Sequence, residues 1–330
     1  MKAWKLNTPS KLERTVAPDL VLTDETAKVK VTKALLSEAD VAVYTGAIKA
    51  KYPLTLGRFA LGQVTEAGKN SYMKKGDRVY FADVTEDECA PDGLQIAGET
   101  VDGYFCDFVL ADETKAYVLP QSVPDEAALL IDAVAMAEHV VDEANITVGQ
   151  HVLVVGGGIY GNILCQILIY HRAVPILADN NAERLERAKK SGIYYTFPND
   201  DTLQERITEV TGGKQADAAI FLAFDNKSEP STVLALVNHG ANVVYCAQMQ
   251  KPLSINLAKA LKNNVTVRCI SESREFVTSA INILANKGIN YSEFKMLVQS
   301  EDKLGECLQK FASSDASKLA ETLHVFKFVL

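Results

Sequence analysis

The chain has 330 residues, 48% of them hydrophobic and 23% charged, the balance of a globular protein with room for two cores rather than of a disordered chain. Its formal net charge is −8 and no run of Lys or Arg exceeds two residues, so neither a nucleic-acid partner nor an anionic membrane surface is expected. The opening MKAWKLNTPSKLERT lacks the apolar core of a secretory signal, and no apolar stretch approaches the roughly 20 residues that span a bilayer, so a soluble, cytoplasmic protein is expected.

From Lys2 to about Asp125 the text is strand-like and punctuated by glycine, with period-two runs at Lys28–Thr32, Gly62–Ala67, Asp77–Phe81 and Tyr104–Leu110. Between them, Asp83–Asp102 is acidic and without period, and it reads as a long surface loop of the kind that tends to be functional or mobile. Pro124–His139 turns helical, with Asp125 and Glu126 in its first turn, and a further helical stretch reaches Asn145. Beyond residue 180 the spacing predicts helices at Ala182–Ser191, Thr202–Val210 and Leu234–Asn238, with strands near Tyr194–Phe197, Ala218–Ala223, Ala241–Cys246 and Asn264–Ile270. A helix at Glu275–Asn286, an amphipathic segment at Glu301–Phe311 and a strand at Thr322–Phe328 close the chain. The six cysteines (Cys89, Cys106, Cys165, Cys246, Cys269 and Cys307) form no C-x-x-C pair and read as buried small apolar residues in a reducing compartment.

One stretch, His151–Asn180, carries chemistry. A β-branched run, Val152–Val155, ends in Gly156-Gly157-Gly158-Ile159-Tyr160-Gly161, a G-x-G-x-x-G match. Gly156 suits the tight turn, Gly158 the close approach of backbone to a pyrophosphate, and Gly161 the packing of helix on strand. A helix from about Asn162 to His171 would aim its first N–H groups at that anion, with Ile159 and Tyr160 flanking it. The next apolar strand, Val174–Ala178, ends in Asp179 and Asn180. Asp179 lies 18 residues past the last glycine, close to the roughly 20-residue offset of the acid that binds the adenosine ribose. A carboxylate there accepts from a free 2′-hydroxyl and repels a 2′-phosphate, which favours NAD(H) over NADP(H). Strands alternating with helices at this spacing imply a doubly wound parallel α/β sheet.

The order of these pieces resembles the medium-chain dehydrogenase/reductase family, in particular its alcohol and polyol dehydrogenase branch. The resemblance rests on Asp40–Gly46, Gly57 with Gly62, Gly76-Asp-Arg-Val79, Asp102-Gly103-Tyr104-Phe105, Leu119-Pro120 with Glu126–Leu130, His139 and the glycine turn. It implies a Rossmann domain at about residues 134–272 and a β-rich, GroES-like substrate domain made of residues 1–133 and 273–330. It also implies an active site in the cleft between them and assembly into homodimers or homotetramers, with the strands Ala241–Cys246 and Asn264–Ile270 as candidate edges. Members of this branch usually hold a catalytic zinc at positions that here read Ser37, Arg58 with Phe59, and Asp132. A guanidinium cannot ligate zinc, and serine and phenylalanine are no substitute for thiolate and imidazole, so no zinc is expected. The family's four-cysteine structural lobe is also missing, since Asp83–Asp102 carries only Cys89.

Arg58 and Asp132 could form a salt bridge or face the substrate together, with Arg58 taking part of the metal's electrostatic role; alternatively Arg58 turns outward and Phe59 fills the vacated place. The proton needed in hydride transfer would come from Ser37, Asp40, Tyr44, Asp132 or a water, with Tyr44 and His139 equally readable as packing. Glu321 stands near a point where some relatives place an arginine against the pyrophosphate, and Met136 where some have a small polar residue. The expectation is a zinc-independent oxidoreductase acting on a small polar alcohol or ketone. Its rivals are an enone or quinone-type C=C reductase and a non-catalytic dinucleotide-binding protein.

Overall fold

Residues 1–86, 93–222, 229–246, 254–313, 319 and 321–328 are described by a computed structural model. Backbone proximity divides the chain into two units, Met1–Ile131 with Lys295–Leu330, and Asp132–Phe294.

The second unit is built on near-continuous apolar runs, which is what strands covered on both faces require. Six of them lie parallel, in the order Tyr195–Pro198, Val174–Asp179, His151–Val155, Ala216–Phe221, Val237–Cys246, Thr266–Ile270. The chain therefore starts in the middle, winds out to one side, then returns and winds out to the other. That reversal falls between His151–Val155 and Ala216–Phe221, and in doubly wound sheets it is the place where ligands bind. The core is made of Leu153, Val155, Ile176, Ala219, Phe221 and Val243, each buried. Helix Ile159–Tyr170 packs on the strands Val174–Asp179 and His151–Val155, with Ile163, Cys165 and Ile167 wholly buried.

That helix begins three residues earlier than the expected Asn162. Gly158 is its N-cap and supplies no side-chain cap. Glycine inside a helix normally argues against a helical start, but Gly161 is there for another reason. A β-carbon on it would stand 1.8 Å from the carbonyl oxygen of Gly156, so helix and strand could not approach as they do.

In the first unit the expected β-rich domain is a sheet in the order Ala116–Val118, Arg78–Phe81, Phe59–Ala67, Ala27–Leu36, Thr322–Lys327, Lys295–Ser300, with Phe108–Ala111 also paired to Ala27–Leu36. A smaller sheet joins Lys11–Val16, Lys2–Thr8 and Leu54–Thr55. Leu6, Leu56, Phe81, Phe105 and Phe326 fill the space between them. The loop expected over Asp83–Asp102 contains a hairpin, Val84–Glu86 with Leu94–Ile96; Cys89 lies outside the described residues.

Several expectations change. The helix expected at Leu234–Asn238 is a short 3-10 turn at Pro230–Ala235, and Val237 already belongs to the following strand. That strand is interior, so of the two candidate edges only Thr266–Ile270 is one. The Pro124–His139 helix is two pieces, Asp125–Ala128 and Ile131–Glu143. Cys106, Cys165 and Cys246 are buried, whereas Cys269 is exposed on the edge strand and Cys307 half-buried. Finally, the second unit runs to Phe294 instead of ending at 272. Its last segment is tied in by Ser279 Oγ donating to Glu138 at 3.0 Å, and by Gln166 exchanging hydrogen bonds with the Asn290 backbone at 2.7 and 3.0 Å. Among the described residues, no helix is long and apolar enough to cross a membrane.

Substituting Gly161→Ala should lower unfolding free energy by about 1–3 kcal/mol, the usual cost of forcing a group into a packed interior. Denaturant unfolding of the two proteins measures it, and an unchanged midpoint would mean that helix and strand do not approach this closely.

Candidate active site

The positions at which the resemblance implies a metal in the first unit, Ser37 and Arg58 with Phe59, lie around Gly57. Strand Ala27–Leu36 ends at Ser37, which caps helix Glu38–Thr45 by accepting from the Asp40 N–H at 3.2 Å. Asp40 answers: its Oδ2 accepts from the Ser37 hydroxyl at 2.6 Å and the Ser37 N–H at 2.9 Å. Its Oδ1 accepts from the Gly57 N–H at 2.9 Å. Asp40 thus fastens the first turn of the helix to the strand entering Arg58. Burial raises its carboxyl above the ordinary 3.8, against the hydrogen bonds from Ser37 and the nearby Arg58 charge that pull it down.

The segment Gly103–Phe105 runs beside 55–57 with the N–H groups of Gly103, Tyr104 and Phe105 donating to Thr55, Gly57 and Leu56 carbonyls at 2.8–2.9 Å. A β-carbon on Gly103 would sit 2.2 Å from the Gly57 oxygen, which explains the Asp102-Gly103 pair. Asp102 itself accepts from the Thr55 N–H at 2.6 Å. This crossing brings the end of the acidic loop against Arg58, and Glu99 forms an ion pair with it. Arg58 is 2% exposed, and its Nε has no hydrogen-bond acceptor among the described residues.

The expected outward turn of Arg58 is therefore corrected: the side chain is buried, and Glu99 is a carboxylate it pairs with. Tyr44 is 3% exposed within the core, its hydroxyl 3.4 Å from the Ser10 carbonyl, so it packs and does not present a proton. Ser37 and Asp40 are committed to the helix cap. The donor set does not suit zinc: a serine hydroxyl in use elsewhere, a buried guanidinium and the buried ring of Phe59 replace three ligands. Among the described residues no group of three His, Cys, Asp or Glu side chains is placed to hold a metal.

In the second unit the glycine turn has the geometry a dinucleotide needs. Gly156 takes a positive φ of 113°. The Gly157 N–H donates to Asp179 Oδ2 at 2.5 Å and the Asn181 N–H to Oδ1 at 2.7 Å, so Asp179, 5% exposed, is held at the end of its strand beside the turn. Arg184 Nη1 stands 3.5 Å from the same carboxylate. Ile159 is buried under the turn, Asn180 is exposed, and Tyr160 is 37% exposed with its hydroxyl donating to Asp132 Oδ2. Asp132 is half-buried in the first turn of Ile131–Glu143. The Cys246 thiol is pushed up to about 12, by burial first and by the charge of the Asp132 carboxylate second. His139 stacks on Phe276 at 5.0 Å and its Nδ1 meets the Glu272 carbonyl at 2.6 Å, a structural arrangement.

Two family models match the chain: the alcohol dehydrogenase GroES-like domain over residues 23–121 and the zinc-binding dehydrogenase domain over residues 160–286, together more than half of it. The chain belongs to the medium-chain dehydrogenase/reductase family. It is an oxidoreductase of that type, similar to alcohol and polyol dehydrogenases. A sorbitol dehydrogenase of Halalkalibacterium halodurans is 24% identical over 296 residues, which cover 84% of this chain and 85% of that protein. The fold is also that of a short chain alcohol dehydrogenase (rspB) from Escherichia coli CFT073 complexed with the cofactor NADH, with a TM-score of 0.86 at 20% identity and 99% of both chains covered. The 2R,3R-butanediol dehydrogenase of Bacillus subtilis gives a TM-score of 0.84 at 18% identity, again over 99% of both chains.

Two outcomes follow for this medium-chain enzyme. Arg58→Met should destabilise it by about 3 kcal/mol by leaving carboxylates uncompensated, and adding Glu99→Leu should restore much of the loss; denaturant unfolding of single and double variants measures both, and additive losses would contradict the pairing. Because the folded Asp40 holds its proton above the unfolded value, both states are protonated below about 3.8, and stability then falls as pH rises toward the raised folded value. Asp40→Asn should flatten that decline in unfolding midpoints recorded across acidic pH.

Proposed function

We propose that the protein is a zinc-independent, NAD(H)-dependent oxidoreductase that moves hydride reversibly between nicotinamide and a small polar alcohol or ketone. The observation that carries the metal-free part is the buried Arg58–Glu99 pair at the position its relatives give to a zinc ligand. A guanidinium there stays protonated, fills the place of a ligand and has no lone pair to offer a divalent cation. The polar alcohol or ketone rests on the company of sorbitol and butanediol dehydrogenases.

The residues of the glycine turn suit a dinucleotide. N–H groups at the start of Ile159–Tyr170 would meet the pyrophosphate, and Asp179 the adenosine ribose. Arg184 lies against Asp179, where its charge answers the carboxylate and is less available to a 2′-phosphate, in keeping with NAD(H) over NADP(H). Bound nicotinamide would supply or accept the hydride. We place the enzyme in the cytoplasm, and as a homodimer or homotetramer pairing through the Thr266–Ile270 edge. There Cys269, and Leu257 and Leu261 of the neighbouring helix, are exposed apolar groups that a second copy could cover.

NADH should bind at least about tenfold more tightly than NADPH, a difference of roughly 1.4 kcal/mol, and Asp179→Ala should erase most of that preference. Fluorescence titration of each dinucleotide measures this. Turnover of a panel of polyols and small ketones should survive prolonged chelation. Turnover confined to enones would move the enzyme to C=C reduction, and loss of all turnover on chelation would refute the metal-free reading.

A further inference from the structure

The acidic segment that supplies Glu99 also encloses a cleft. Between the hairpin Val84–Glu86 with Leu94–Ile96, the turn at residues 96–101 and the ends of neighbouring strands lies a space of about 220 Å³, room for about seven waters at roughly 30 Å³ each. Asp83, Thr85, Gln95, Val101, Val109 and Lys115 are among its walls, and all of it belongs to the first unit. Arg58 and Asp40 do not line it.

Two polar groups in those walls lack a partner. Thr85 is 8% exposed, and its hydroxyl makes no hydrogen bond among the described residues, although a hydroxyl withdrawn this far from water is normally satisfied. Lys115 is half-buried, and its ammonium forms no ion pair or hydrogen bond among the described residues, while its charge acts on Asp112. Carboxylates stand in the same walls. Asp102 is held by Lys5 Nζ at 2.9 Å and the Thr55 N–H at 2.6 Å. Asp83 adds a second, whose charge, after burial, pushes the Tyr104 phenol up.

An ammonium, carboxylates and a hydroxyl around one small space, with Val101 and Val109 beside them, suit a ligand that carries both charges on a short carbon chain. A plain anion would meet the aspartates, and a plain cation would meet Lys115. We propose that the cleft binds a small zwitterion of the amino-acid class, its carboxylate on Lys115 and Thr85 and its ammonium on Asp83, and that its occupancy is coupled to the buried Arg58–Glu99 pair. Neither the binding nor the coupling requires a dinucleotide.

One turn carries the coupling. The N–H groups of Glu99, Thr100 and Val101 all donate to the Ile96 carbonyl, at 3.1, 2.9 and 3.2 Å, so Ala97 and Val101 of the cleft wall and Glu99 of the ion pair belong to one rigid piece. A β-carbon on Gly98 would stand 3.1 Å from the Gly57 nitrogen, so the same turn presses on the residue before Arg58. A ligand that orders the wall therefore favours the closed ion pair, and by reciprocity the ion pair favours the ligand.

The test is calorimetric titration of glycine, β-alanine and γ-aminobutyrate into full-length protein, with propionate and propylamine as singly charged controls. One of the zwitterions should bind with a Kd of about 1 mM or tighter, and at least about tenfold more tightly than either control. Lys115→Met should weaken it at least about tenfold, and Thr85→Val, nearly the same shape without the hydroxyl, about threefold or more. Glu99→Gln, which touches no ligand, should weaken it at least about threefold. Circular dichroism checks that each variant is folded, and where Lys115→Met is not, Thr85→Val decides. No binding of any zwitterion at about 50 mM, controls that bind as tightly as the zwitterions, or an affinity unmoved in the folded cleft variants would overturn the site. An affinity unmoved in Glu99→Gln would overturn the coupling.

Discussion

The interaction on which the account turns is one buried guanidinium held by one carboxylate. Arg58 is almost wholly withdrawn from water and pairs with Glu99 from the far end of an acidic loop. A charge buried this deeply is tolerable only with a partner, so the loop, the Gly57–Gly103 crossing and the Asp40 cap have to be in place together. The same arrangement puts a guanidinium, which has no lone pair to offer a metal, where the family resemblance places a zinc ligand.

Within that unit, geometry follows from close approach. Gly161 lets the first helix settle on the central strand, the strand order reverses beside it, and Asp179 and Cys246 end on opposite flanks of the reversal. The Tyr160–Asp132 hydrogen bond joins the first turns of two helices, so the side chain nearest the glycine turn also fixes the carboxylate.

Much of this was legible in the residues. Val152–Val155, the glycine turn and Asp179 each follow a local rule, and together they announce the fold, because their spacing is dictated by the ligand's own length. Local rules failed where long-range contacts decide. Lys2–Thr8 and Lys11–Val16 carry too many charges to announce a hairpin, yet Ala3 and Leu6 anchor it in the core. Lys295–Ser300 is largely exposed and is a strand only because Thr322–Lys327 pairs with it. Glu99 was hidden in a segment without period; the signal was its position three residues before Asp102-Gly103, a pair whose backbone must press against Gly57. Tyr160 was placed with the cofactor by its motif alone, and its bond to Asp132, 28 residues away, could not be read from either element.

The measurement that bears most directly on the central claim is calorimetric titration of Zn²⁺ into metal-stripped, full-length protein. The account predicts no one-to-one uptake approaching the roughly 10 kcal/mol or more of a protein zinc site, with turnover unchanged by the metal. One zinc per chain, bound at that strength and needed for turnover, would contradict it.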